Sequence, residues 1–74
     1  VSMEDEVRQA IAGGEFGDRE LGWGELAALA AQIDSVISED EDVAEILDVV
    51  GTVLLDVGVD DDQVDVILEA VMTL

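Results

Sequence analysis

The sequence predicts an all-α domain, a small bundle of four short helices: three principal helices and a shorter one at the N-terminus. Three observations predict it. Apolar residues recur at the i, i+3, i+4, i+7 spacing of a helix face. Three of the four segments carrying that period open on Ser or Asp and, where a stop is legible, close on Gly. Half of the 74 residues are hydrophobic and mean hydropathy is +0.37. The chain therefore holds enough aliphatic surface to form a core, despite a net charge of −18.

The first helix is expected over residues 2–12. Ser2 is placed to cap it, with Asp5 at the third helical position. Met3, Val7, Ala10 and Ile11 share one face, and Gly13-Gly14 ends the segment. Residues 13–24 hold five of the seven glycines and read as a loop. Phe16, Leu21 and Trp23 are its expected anchors, tucked against the core. The second helix is expected over 23–37, with Leu26, Leu29, Ala30, Ile33 and Ile37 in period. Its small residues Ala27, Ala28, Ala30 and Ala31 would let a neighbouring helix approach closely.

Ser38 followed by Glu41 has capping-box spacing and predicts a third helix over 39–57, stopped by Gly58. Its apolar stripe is Val43, Ile46, Leu47, Val50, Val53, Leu54 and Val57. Asp60 followed by Gln63 repeats the capping-box pattern and opens a fourth helix that reaches Leu74. Val64, Ile67, Leu68, Val71 and Met72 make its apolar face. Valine is a mediocre helix former, yet the 3.6-residue period and the acidic caps favour helices over strands here. The expected core is Val7, Ile11, Leu26, Leu29, Ile33, Val43, Leu47, Val50, Leu54, Val64, Leu68 and Val71. Residues 1–74 are read as one acidic helical domain.

A chain this short has marginal stability unless something staples it. With no Cys there is no disulfide, and with neither Cys nor His there is no common structural zinc site. Oligomerisation, or docking on a larger partner, is the favoured staple. The helical wheel points the same way. The third helix has an apolar arc from Val49 through Ile46 and Val50 to Leu47, broader than a one-sided surface helix needs. Leu55 stands apart on its polar side, as Val66 does on the fourth helix. A central helix with several neighbours would explain the broad arc equally well. Val49, Leu55 and Val66 are the candidate interface residues.

Chemistry is narrowly bounded. The sequence has no His, Cys, Lys or Tyr for acid–base or nucleophilic work, so no enzymatic activity is expected and no catalytic or cofactor-binding residue is assigned. Residues 13–25 resemble the exit half of an EF-hand, with Asp18, Leu21 and Glu25 at the spacing of the fifth, eighth and twelfth loop positions. The match stops there. Gly14 and Phe16 stand where side-chain oxygens are required, and Arg19 stands where the loop needs glycine. The acid runs 38–42 and 60–63 are explained by capping and by the helix macrodipole, where an acid near an N-terminus contributes about 0.3–1 kcal/mol. No metal site is assigned.

Two arginines and no lysine argue against direct nucleic-acid binding and against an anionic membrane surface. The run from Val43 to Val59 is interrupted by Glu45, Asp48 and Asp56, so no membrane span is expected. The start of the chain lacks the basic and apolar regions of a secretory signal. The expected location is the cytoplasm or the inside of a larger particle.

The composition resembles that of proteins from extreme halophiles: Asp and Glu abundant, Lys absent, Val, Ala and Gly plentiful, large aromatics scarce. At 1 M salt the Debye length is about 3 Å, so the self-repulsion of such a surface is screened. The expectation is a salt-adapted, non-enzymatic structural or protein–protein interaction subunit. It would be a homo-oligomer or part of a larger assembly such as a virion or regulatory complex. The alternative is an acidic DNA mimic that inhibits a DNA-binding protein. Residues 38–74 carry twelve acids and no base, which suits mimicry. The total absence of lysine fits a proteome-wide bias better than a targeted patch.

Overall fold

The computed structural model describes residues 2–11, 16, 20–38 and 40–73. Four helices follow in order: α1 (Met3–Ile11), α2 (Trp23–Asp34), α3 (Val43–Asp56) and α4 (Asp61–Thr73). The chain is all-α, as the period requires. The helices pack in a ring, α1 on α2, α2 on α4, α4 on α3 and α3 on α1. The pairs α1 with α4 and α2 with α3 touch far less. Helices adjacent in sequence are therefore not always adjacent in space, α2 and α3 being the case in point. The radius of gyration is 11.0 Å, against about 11 Å expected of a compact chain of this length.

Local signals explain where each helix starts. The Asp5 N–H donates to Ser2 Oγ at 3.2 Å, so Ser2 caps α1 as its position predicts. Gly22 precedes α2, and the Glu25 carboxylate reaches back to accept from the Gly22 N–H at 3.5 Å. The start of α3 differs from expectation. Ser38 does not cap it. The Glu41 N–H donates to the Ser38 carbonyl at 3.2 Å and the Asp40 N–H to Ser38 Oγ at 3.3 Å, closing a turn ahead of the helix. Asp42 is the cap, accepting from the Ala44 N–H at 3.0 Å. A short acid outcompetes the distant serine because its carboxylate sits directly over the first exposed amides. Asp60 heads α4 in the same way, accepting from the Asp62 N–H at 3.3 Å.

The ends are equally specific. α2 stops at Asp34, short of Ile37. The Ser35 N–H still donates four residues back to Ala31, but Val36 and Ile37 donate only three back, to Ile33 and Asp34. Ser35 Oγ donates to the Gln32 carbonyl at 2.7 Å and satisfies another terminal acceptor. α3 ends on Gly58 with φ of 91°. The Gly58 N–H donates to Leu55 and the Val59 N–H to Leu54. This is a Schellman motif, and its usual apolar partner pair is present in buried Leu54 and Val59. The expected stop of α1 at Gly13-Gly14 and the expected end of α4 at Leu74 lie outside the described residues.

The core is aliphatic, with Val7, Ile33, Val50, Val53, Leu54 and Ile67 completely sealed from solvent. Burying each such side chain contributes about 1.5–3 kcal/mol. Val7, Ile11, Leu26, Leu29, Ile33, Val50, Leu54, Val64 and Val71 are buried as expected, and Leu68 packs half-buried against them. Two expected core residues are not buried. Val43 is 52% exposed and Leu47 is 38% exposed. Ile46, Val53, Val59 and Ile67 carry that burial instead. The alanine face of α2 also contributes less than its sequence suggests, because only Ala30 is buried. Among the described residues no polar or charged side chain is buried.

Candidate interaction surface

Among the described residues the large apolar side chains left in solvent are Trp23, Val43, Leu47, Leu55 and Met72. Trp23 is the extreme case, 80% exposed, which corrects its expected place in the core. Phe16 and Leu21, read with it as anchors, are buried as expected. The difference is local. Leu21 precedes α2 and turns inward. Trp23 is the first residue of α2, and helical side chains tilt toward the N-terminus. A first-turn side chain therefore leans past the end of the bundle instead of onto it.

What holds this corner in place is Gln63. Its Oε1 accepts from the Leu21 N–H at 2.8 Å and its Nε2 donates to the Leu21 carbonyl at 2.9 Å. The expected role of Gln63 as a capping-box residue for α4 is thereby corrected. A primary amide presents donor and acceptor side by side, which is what a backbone residue outside helix and sheet needs. Gln63 thus fixes Leu21, and through it the direction in which the chain enters Trp23.

Two clefts flank the indole. One, of about 280 Å³, is lined by Trp23, Val66, Glu69, Ala70 and Thr73. The other, of about 270 Å³, includes Glu20, Leu26, Gln63 and again Trp23 and Val66. Together they form one shallow trough between the start of α2 and the outer face of α4. A separate cleft of about 210 Å³ joins the end of α2 to the start of α3 and contains exposed Val43 and Met72 between Asp34 and Glu41.

The three interface candidates fall in different places. Val66 lies in the trough beside Trp23. Leu55 is 51% exposed near the end of α3. Val49 is half-buried and packs against the core. Of the three, only Val66 lines either cleft beside Trp23. Trp23, which the sequence reading missed as a surface residue, joins only Val66. Its position at the first turn, between two glycines and two residues after Leu21, is the signal that could have found it.

The charged groups are arranged simply. Arg8 Nη2 donates to Asp56 Oδ2 at 2.7 Å and to Glu4 Oε1 at 3.1 Å. These hydrogen bonds, first that to Asp56 and then that to Glu4, hold the guanidinium above its ordinary pKa. The pairing ties α1 to α3 and offsets a carboxylate at the unfavourable C-terminal end of α3. Among the described residues no group of three or more carboxylates is placed to hold a metal ion. Gly14, Asp18 and Arg19 of the EF-hand-like stretch lie outside the described residues. Among the described residues no helix is long and apolar enough to cross a membrane. Comparison of the chain with protein-family models, with curated proteins and with solved structures finds no match.

Proposed function

We propose that this chain is a non-enzymatic protein–protein interaction subunit, salt-adapted and built to sit in a larger assembly such as a virion or a regulatory complex. The observation that carries the reading is the exposure of Trp23, at 80%, on a surface whose net charge is −18. A large aromatic left in water beside other apolar side chains marks a contact surface. A solitary acidic domain gains nothing from it. The clefts are shallow, and the chain has no His, Cys, Lys or Tyr to activate their hydroxyls and carboxylates, which supports a binding role over a catalytic one. Salt adaptation is supported by the absence of lysine. The second reading, phosphate mimicry, draws on the twelve acids of residues 38–74. Two of them, Asp42 and Asp60, are engaged as helix caps, and Asp56 is paired with Arg8.

Sedimentation and circular dichroism across KCl concentrations test the proposal. The expected result is incomplete helicity at low salt, full helicity in molar KCl, and a sedimenting species heavier than the monomer. Full helicity at low salt removes the salt-adaptation component. A monomer at every salt and concentration, with nothing associated, removes the assembly component. Salt-sensitive binding to a basic DNA-binding protein that competes with DNA replaces the proposal with mimicry.

A further inference from the structure

We propose that the trough around Trp23 is the docking site for a cationic amphipathic segment of a partner protein, which sets an apolar side chain between the indole and Val66 and flanks it with Arg or Lys. The inference rests on the interaction-subunit reading and names the surface and the partner chemistry.

The trough is apolar at its centre and acidic at its edges. Trp23 and Val66 are shared by the two clefts, Leu26 and Ala70 add aliphatic surface, and the charged residues lining it are Glu20 and Glu69. No described cation competes for those carboxylates, since the Arg8 guanidinium is engaged by Glu4 and Asp56. An incoming apolar side chain recovers the free energy that exposed Trp23 forgoes, in proportion to the apolar area it covers. A guanidinium or ammonium group next to it can lie on the indole face or meet a rim carboxylate.

Charge decides between the possible occupants. A second copy of this chain has only two arginines, of which Arg8 is engaged by Glu4 and Asp56, so it has little cationic surface to set against Glu20 and Glu69 at contact distance. A basic segment gains from the same carboxylates. In molar salt the long-range steering is lost, while the apolar seat and the contact hydrogen bonds persist. The seat is also preorganised, because Gln63 pins Leu21 two residues before the indole.

Trp23 is the only tryptophan in the chain, so its emission reports on the site directly. The test uses the full chain in KCl at a concentration giving full helicity, and a labelled helical peptide with leucines on one face and arginines on the other. The expected result is a blue shift of Trp23 emission and saturable peptide anisotropy. Trp23→Ala should weaken binding at least tenfold, Glu69→Gln should weaken it severalfold, and Leu55→Asp should leave it unchanged. A peptide with Glu in place of Arg should not bind. Equal binding by Trp23→Ala, or by a polyarginine without leucines, overturns the proposal in favour of diffuse charge attraction. A blue shift that grows with the protein's own concentration, without peptide, overturns it in favour of a second copy. Absence of peptide binding alongside a heavy sedimenting species overturns this site while the interaction-subunit reading stands.

Discussion

Gln63 and Leu21, 42 residues apart, share two hydrogen bonds in which one side-chain amide satisfies both the N–H and the carbonyl of one backbone residue. The pair joins the segment entering α2 to the first turn of α4. It reproduces with a side chain what a neighbouring strand would supply, at a place where no strand exists.

Replacing Gln63 with Leu should therefore be costly although the residue is only half-buried. The change strands two partly buried backbone groups, each worth about 1–3 kcal/mol when left unsatisfied. Urea unfolding at fixed KCl should show a loss of about 2–6 kcal/mol for the two groups together, toward the lower end because both are only partly buried. Gln63→Glu should also destabilise at neutral pH, because a carboxylate faces the Leu21 carbonyl with no donor. Acidification restores a donor to the carboxyl, so the gap between variant and parent should narrow as pH falls.

The two glycines of α3 and its end should respond in opposite directions. A Cβ on Gly51 would meet Leu68 Cδ1 at 3.8 Å, an ordinary contact. Gly51→Ala should stabilise by about 0.5–1 kcal/mol, the usual helix-interior difference. Gly58 sits at φ of 91°, so Gly58→Ala should destabilise by about 1–2 kcal/mol. Thermal melts of the two variants should bracket the parent.

Adjacent residues on α3 should separate as sharply. Ile46 is 6% exposed and Leu47 38% exposed. Ile46→Ala should cost about 2–5 kcal/mol, and Leu47→Ala less than about 1 kcal/mol. Similar costs at both positions would mean a different rotation of α3.

Arg8→Gln removes the tie between α1 and α3 and makes the chain one unit more negative. Its pairs are solvent-exposed, so the melting temperature should fall most at the lowest KCl that supports folding. The difference from the parent should shrink as KCl rises. A loss independent of salt would point to lost packing of the arginine stem and not to charge.

Much of the fold is legible in the sequence because it depends on short separations. Ser2 caps a helix through an amide three residues away, and Gly58 ends one through partners within five. The apolar period assigns each helix a face, and most of the expected core lies on it. The differences in burial share one cause. A helical wheel discards position along the axis. Leu47 is only about 20° round the helix from Leu54, yet Leu54 is sealed and Leu47 is not. Val43, in the first turn of α3, and Trp23, in the first turn of α2, fail in the same way.

The sequence by itself determined the number of helices, their approximate limits, the aliphatic core and the acidic exterior. These follow from backbone capping and from the hydrophobic period, both of which act within a few residues. Tertiary structure alone decided which level of each helix is covered, that Gln63 would hold Leu21, and that Trp23 would stand in solvent between two clefts. Those outcomes depend on which helices meet in the ring. The ring is set by contacts between residues far apart in the chain, for which local spacing carries no signal.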